Sequence, residues 1–237
     1  MYYIGQFKND FPNGKGKLYK SNWDLGYESD FINNVMDRNG KLILENGAYY
    51  IGQFKNGFQH GKGKIYNADG NIIFEGYYIN GKIEGIGKEI DEDGKYYIGE
   101  YKNNLRNGKG IIYHANDNVK YEGDFFNNKP EGNGKYIFED GRYYIGQWKN
   151  GLRNGKGIQY YANGNIHYEG EFFNDKAEGN GKIIYEDGTY YIGQTKDNEA
   201  NGKGIKYYLN RNILYEGDFI NGKKEGNEKF ICKDGSY

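Results

Sequence analysis

Several residue types are scarce in this chain of 237 residues, and each shortage limits the classes of structure that it can form. A single cysteine, Cys232, cannot form a disulfide within the chain, as is typical of proteins of the reducing cytoplasm. No apolar run approaches the ~20 residues that a membrane-spanning helix needs. Residues 1–5 also lack the basic and apolar regions of a secretion signal. We therefore expect a cytoplasmic protein.

Charge of one sign is not in excess either. The chain has 32 Lys and Arg against 33 Asp and Glu, which gives a formal net charge of −1. Without a net field, charge alone recruits neither nucleic acid nor an anionic membrane, so an electrostatic site must be local.

Glycine and aromatic residues are abundant instead, with 39 Gly, 27 Tyr, 13 Phe and 2 Trp. The mean hydropathy of −1.00 would suit a disordered chain, but disordered chains are poor in aromatic residues. We predict a folded, thin structure in which rings pack against glycine.

One segment, from Tyr144 to Gly157, recurs along the whole chain with small changes. It has the sequence Y-I-G-Q-W-K-N-G-L-R-N-G-K-G, and its first half alternates with the two-residue period of a strand. The Asn and Gly residues at 150, 151, 154 and 155 are typical of turns. The segment therefore predicts a β-hairpin whose second strand begins near Gly155.

Ten such units follow one another, beginning at residues 3, 27, 50, 74, 97, 121, 144, 168, 191 and 215. Odd units begin Y-Y-I-G and even units carry (Y/F)-E-G, so the true period is a pair of 47 residues. We predict an all-β fold: an elongated, single-layer, twisted antiparallel sheet of stacked hairpins, on the order of 95 Å long. A ring of one hairpin should lie over glycine backbone of the next.

Some units depart from the pattern. Ser29 and Arg38 replace glycines in the second unit, Thr195 replaces a ring in the ninth, and Glu228 replaces a glycine in the tenth. Such units are expected to cap or bend the array. The chain also starts and stops in mid-pattern, so residues 1–237, a single array, are expected to be a segment of a longer one.

The repeat resembles the MORN (membrane occupation and recognition nexus) repeat, whose pattern is Y-x-G-(aromatic or acidic)-(W/F/Y)-x-x-G-x-x-x-G-x-G-x-x-x-(Y/F). The resemblance covers essentially the whole chain. It implies an antiparallel sheet of hairpins with a ring-lined groove, used as a scaffold or adaptor in cytoskeletal, ciliary or membrane-associated assemblies. It implies no catalysis and no cofactor.

The ring ladder is the first candidate site. A partner's helix or extended segment could lie in a groove with aromatic anchors, although most individual rings are expected to be structural. The rings proposed to line the groove are Tyr50, Phe54, Tyr97, Tyr101, Tyr121, Phe125, Tyr144, Trp148, Tyr168 and Phe172.

A lysine row is the second candidate site. A lysine stands between the paired glycines of each odd unit, where glycine amides could form anion nests for phospholipid headgroups. The five are Lys15, Lys62, Lys109, Lys156 and Lys203. Glutamates on the even units, such as Glu75 and Glu169, favour the alternative of a solvated, charge-paired surface, and they weigh against nucleic acid.

Enzymatic constellations are not evident. His60, His114 and His167 come from different units and are predicted to be surface residues, while Cys232 takes a strand position that suits a small apolar side chain. The N-G-K-G segments are interpreted as hairpin turns and not phosphate-binding loops.

The leading hypothesis is thus a non-enzymatic scaffold that binds protein partners. The alternatives are a peripheral phosphoinositide-binding module and the accessory array of a larger enzyme. The unpaired terminal strands of the sheet also favour homodimerisation or end-to-end association.

Overall fold

The structure, a computed structural model, describes residues 1–226, and these form strands, turns and loops without a helix. Glu228 and Cys232 lie outside the described residues. The twenty strands are β1 (Tyr2–Lys8), β2 (Phe11–Tyr19), β3 (Leu25–Ile32), β4 (Val35–Ile43), β5 (Tyr49–Lys55), β6 (Phe58–Tyr66), β7 (Ile72–Ile79), β8 (Lys82–Ile90), β9 (Tyr96–Lys102), β10 (Leu105–Tyr113), β11 (Val119–Phe126), β12 (Lys129–Ile137), β13 (Tyr143–Lys149), β14 (Leu152–Tyr160), β15 (Ile166–Phe173), β16 (Lys176–Ile184), β17 (Tyr190–Lys196), β18 (Glu199–Tyr207), β19 (Ile213–Ile220) and β20 (Lys223–Glu225). The predicted all-β sheet of antiparallel hairpins is confirmed.

The chain divides into two compact units. Unit 1 contains residues 1–119 and 125–128, and unit 2 contains residues 120–124 and the chain from residue 129 onward. In unit 1 the strands β1 to β10 pair antiparallel in chain order. In unit 2 the strands β12 to β20 do the same.

Two kinds of connection alternate along the chain. The two strands of each repeat are joined by a two-residue turn with positive φ at both residues, as in Asn56 (51°) and Gly57 (82°). Successive repeats are joined by loops, at residues 20–24, 44–48, 67–71, 91–95 and 114–118 in unit 1. Because consecutive strands run antiparallel, each unit has a turn edge and a loop edge.

The N-G-K-G segments are not the hairpin turns that the sequence predicted. In the repeat at Tyr144 the turn is Asn150–Gly151, and β14 begins at Leu152, earlier than the expected start near Gly155. Gly146 pairs with Gly157 and Trp148 pairs with Arg153. Between these pairs, residue 147 of β13 faces residues 154–156 of β14, so β14 bulges there. Gly155, with φ of 96°, lies in this bulge.

Rings pack on glycine as predicted, but the leading tyrosine lies over the paired glycines of its own hairpin and not over those of the next one. Tyr50 is 1% exposed, and its ring lies over Gly52 and Gly63, which pair across β5 and β6. Its hydroxyl donates to the Gln53 carbonyl at 3.0 Å, beside the bulge. The side of the sheet that bears Tyr50 is called the ring face here, and the opposite side, which bears Tyr49 and Ile51, is called the outer face.

The departures from the repeat are accommodated locally. Ser29 is buried, and its hydroxyl donates to the Asp30 carbonyl at 3.1 Å, while the ring of Tyr27 is less buried than the equivalent rings of the other even repeats. Thr195 is also buried and donates to the Gly179 carbonyl at 3.1 Å. Both hydroxyls thus donate to backbone carbonyl groups, at positions that a glycine or an aromatic ring occupies in the other repeats.

Replacing Gly63 tests this packing. An alanine Cβ at this position would lie under 3.0 Å from the Tyr50 ring, so we expect Gly63→Ala to lower the free energy of unfolding by about 2 kcal/mol or more. The matched control is Gly85→Ala, where no atom lies within 4 Å but φ is +74°, and backbone strain alone should cost about 1 kcal/mol. Urea unfolding followed by circular dichroism measures both. Equal losses in the two variants would contradict the role given to the ring.

Candidate functional site

The ten rings proposed to line a partner groove are core residues. Tyr144 is 0% exposed, and the most exposed of the ten, Trp148, reaches only 8%. These rings therefore form no open surface themselves, because each is enclosed by glycine backbone and by other rings. A partner-binding role for them stays a prediction.

The rings contact one another edge to face. Tyr50 meets Phe54 at 5.3 Å and Tyr78 at 5.0 Å between ring centroids, with interplanar angles of 86° and 79°. In unit 2, Tyr144 meets Phe172 at 4.9 Å in the same way. Edge-to-face contacts of this kind are favourable beyond their burial, so the chain of rings stiffens the sheet.

Burial also fixes the ionisation of these tyrosines. Loss of solvation raises the pKa of Tyr50, Tyr97 and Tyr144 to about 12. The phenols are therefore neutral donors at physiological pH, and their hydroxyls serve backbone carbonyls three residues on.

The inter-glycine lysines are exposed, as an anion site would require, but their backbone amides are already used. The Lys156 amide donates to Gln147 Oε1 at 2.8 Å, and the Lys109 amide donates to Glu100 Oε1 at 3.1 Å. The same bond recurs at Lys15, Lys62 and Lys203. In these five bulges, a side chain of the same repeat takes the amide that an anion would need.

The side chains of this row largely face acids. Lys156 is the register partner of Glu171, and Lys203 is the register partner of Asp218. Lys62 differs, since it pairs with Tyr77 and its ammonium lies 5.5 Å from that ring's centroid. Alternating basic and acidic positions were predicted, and three of the five lysines have an acidic register partner, since Lys15 of unit 1 pairs with Asp30.

A family model of the MORN repeat matches ten segments of the chain, at residues 3–25, 27–49, 50–72, 74–96, 97–119, 121–141, 144–166, 168–190, 191–212 and 215–237. The chain belongs to the MORN-repeat family. The ten MORN segments start at the same residues as the ten repeats counted from the sequence.

Comparison with known proteins adds little to the MORN assignment. A search of curated proteins found no match. Among solved structures, the crystal structure of a protein of unknown function from Bacteroides caccae is similar over 93% of this chain and 74% of that chain. Its identity is 11% and its TM-score is 0.18, so it carries no argument.

Sequence reasoning missed a charged cluster on the ring face of unit 1. Glu89 Oε2 accepts hydrogen bonds from the Tyr101 hydroxyl at 2.7 Å and from the Arg106 guanidinium at 2.8 and 3.0 Å. The guanidinium also lies 4.6 Å from the centroid of the Tyr97 ring. The sequence carried a signal for this cluster, because Glu89 occupies a position that is apolar or aromatic in the other even MORN repeats, where it is Leu42, Tyr136, Ile183 and Phe230.

A second missed feature lies on the outer face. In four hairpins, the first of them β5–β6, two tyrosines stack across the pair of strands, as Tyr49 and Tyr66 do at 4.8 Å. A lysine of the preceding strand covers the first ring, with Lys41 of β4 at 3.9 Å from the Tyr49 centroid. The other stacked pairs are Tyr96 with Tyr113, Tyr143 with Tyr160 and Tyr190 with Tyr207.

The histidines are more enclosed than predicted. His60 lies in β6 and His167 in β15, and the Nδ1 atom of each is buried without a hydrogen-bond partner. Burial, together with the charge of Arg142, lowers the pKa of His167. Within residues 1–226, no three His, Cys, Asp or Glu side chains are grouped as metal ligands. A helix long and apolar enough to cross a membrane is likewise not found in that part of the chain.

Each unit has a hollow at an equivalent place. In unit 1 a hollow of about 1110 Å³ runs from the loops at 46–48, 67–68 and 91–93 to Asn104 and Asn128 at the turn edge. In unit 2 a hollow of about 860 Å³ lies 94 residues, or two 47-residue periods, further along. Seven lining residues of the unit 2 hollow correspond one to one with lining residues of the unit 1 hollow. In the same order they are Asp140, Arg142, Tyr161, Ala162, Ile184, Tyr185 and Glu186 in unit 2, and Asn46, Ala48, Asn67, Ala68, Ile90, Asp91 and Glu92 in unit 1.

One buried hydroxyl in the ring ladder has no partner, and its removal should stabilise the fold. Tyr78 is 3% exposed with an unpaired hydroxyl, and the other even MORN repeats have phenylalanine at this position. We expect Tyr78→Phe to raise the free energy of unfolding by about 1 kcal/mol, because an unsatisfied buried group is lost. As a control, Tyr50→Phe should lower it by about 1 kcal/mol, since the bond to Gln53 disappears. Thermal melts of both variants measure this, and a less stable Tyr78→Phe would refute it.

Proposed function

We propose that this MORN array is a non-enzymatic scaffold that binds protein partners along its ring face, in a cytoskeletal, ciliary or membrane-associated assembly. The observation that carries the proposal is the hollow of unit 1. Its half-buried isoleucines Ile65 and Ile83 lie above a layer of packed rings, with polar and charged side chains around them. A preformed apolar hollow with a polar rim is typical of a binding surface.

Rigidity supports the same function. The ring over paired glycines, the edge-to-face contacts and the filled bulges leave the floor of the hollow little freedom to rearrange. A rigid surface loses little conformational entropy when a partner binds. MORN repeats are also generally non-enzymatic.

The ring face can be tested with two isoleucines of the same strand. Ile83 lines the hollow, whereas Ile86 is 55% exposed and belongs to the outer-face register. We expect proteins captured by the full chain from an extract of its source cell to be lost with Ile83→Glu and retained with Ile86→Glu. Quantitative mass spectrometry measures both. Retention of every captured protein by a folded Ile83→Glu variant would refute the ring face as the binding surface.

A second candidate function is peripheral phospholipid binding, favoured by one observation on the turn edge of unit 1. Lys8 and Lys55 are exposed there and pair in register with Phe11 and Phe58, which are 54% and 57% exposed. Basic and aromatic side chains together suit a membrane surface. The occupied amides beside the inter-glycine lysines weigh against a specific headgroup site.

Vesicle sedimentation tests this candidate. If the inter-glycine lysines bind headgroups, the chain should sediment with phosphoinositide vesicles, and Lys→Glu changes at Lys15, Lys62, Lys109, Lys156 and Lys203 should abolish sedimentation, since the surface potential would repel them. We expect any sedimentation of the chain to survive these five changes, because acids face Lys15, Lys156 and Lys203 and the backbone amides of the five lysines are occupied. Phosphatidylcholine vesicles serve as the control. Sedimentation that depends on both the phosphoinositide and the five lysines would contradict this expectation.

A further inference from the structure

We infer that the hollow of unit 1 binds a basic amphipathic segment of a partner protein, with apolar side chains on one side and Lys or Arg on the other. This inference rests on the proposed scaffold function and names the chemistry of the partner. It follows from the floor of the hollow, its charge, and the contrast with the equivalent hollow of unit 2.

The floor accepts apolar side chains. Ile65, Ile73 and Ile83 are half-buried and line the hollow, and Phe74 beneath them is 4% exposed. Within unit 1 the hollow crosses the sheet from the loop edge to the turn edge. A strand of seven to nine residues spans ~25–30 Å, which matches a helix of about 18 residues.

The rim is acidic, and two of its carboxylates form no ion pair with the described part of the chain. Arg106 neutralises Glu89, and Asp93 pairs with Lys95. Asp91 and Glu92 also line the hollow, are exposed, and form no ion pair with the described part of the chain. Cationic side chains of a partner would find two carboxylates available there.

The loop edge of unit 1 extends this charge beyond the hollow. Its five loops carry Asp24, Glu45, Asp69, Asp91, Glu92, Asp93 and Asp117 against Lys20 and Lys95. A field of one sign along an edge attracts a basic segment and repels an acidic one, and so contributes specificity and association rate.

The equivalent hollow of unit 2 differs at the residues that matter. Arg142 stands where unit 1 has Ala48, and it pairs with Asp140 at 2.7 Å. Tyr161 replaces Asn67, and its hydroxyl donates to the Ile184 carbonyl at 3.0 Å. Tyr185 replaces Asp91. In unit 2 two rings and a guanidinium therefore stand where unit 1 has an asparagine, an aspartate and an alanine, and the hollow there is smaller and has fewer acidic lining residues.

The two hollows supply matched variants for a binding experiment on the full chain. The triple variant Ala48→Arg, Asn67→Tyr and Asp91→Tyr gives unit 1 the residues that the same fold already holds in unit 2. A conservative variant, Asp91→Asn with Glu92→Gln, removes only charge. Its control in unit 2 is Glu186→Gln with Asp187→Asn. Circular dichroism melts establish that each variant is folded.

The probe is a fluorescent amphipathic peptide of about 18 residues with leucines on one face and lysines on the other. Two counterparts carry glutamate or glutamine in place of lysine. Fluorescence anisotropy should show binding of the lysine peptide, with the glutamate peptide at least about tenfold weaker. Asp91→Asn with Glu92→Gln should weaken binding about fivefold, which is the loss expected of two exposed ion pairs. The triple variant should abolish binding, and the unit 2 control should leave it unchanged.

The remaining outcomes separate the two proposals. If the glutamate or glutamine peptide binds equally well and the triple variant abolishes that binding, the basic partner is wrong while the ring face remains a binding surface. If the lysine peptide binds the folded triple variant unchanged, the hollow is not its site. If no peptide binds, this inference is overturned, and the scaffold function is then decided by Ile83→Glu in the capture experiment.

Discussion

A tyrosine ring lying over two paired glycines is the contact on which the rest of the structure depends. Tyr144 covers Gly146 and Gly157, and its hydroxyl donates to the Gln147 carbonyl, at the residue that faces the bulge. The Gln147 side chain in turn accepts the Lys156 amide. One ring thereby fixes the register of the hairpin, the position of the bulge and the filling of that bulge, which explains why the repeat requires this order of residues.

Because these contacts bury the rings of the ring face, few of the rings are accessible to a partner. The ladder instead provides a stiff floor, and the side chains that vary between repeats stand around it, such as Glu89, Asp91 and Arg106. Charge follows the same division. In unit 1 the loop edge carries mostly acids and the turn edge carries mostly lysines, so a net charge of −1 for the chain conceals two edges of opposite sign.

The sequence was sufficient to predict the fold class, the ten repeats and the packing of Tyr144 on glycine, because each follows from a pattern repeated ten times. It misplaced the turn, since Asn154–Gly155 and Asn150–Gly151 carry equally good turn residues and only the pairing of Gly146 with Gly157 distinguishes them. It expected most individual rings to be structural but still proposed ten of them as the lining of a groove, because a periodic pattern shows which residues share a face but not how completely neighbours cover them. The Glu89 cluster was missed because it occurs once, whereas a comparison of repeats identifies the residues that recur.

Single occurrences are where a repeat protein can place a specific function. Each MORN repeat contacts only its neighbours, so a site must be assembled from adjacent repeats. Glu89 belongs to the fourth repeat, and Tyr101 and Arg106 belong to the fifth. Two periods later, Tyr161 and Tyr185 stand in place of Asn67 and Asp91, and the hollow that they line is smaller. The strands and loops have the same lengths at both places, so the two hollows differ in their side chains, and the hollow of unit 1 draws these side chains from five successive repeats.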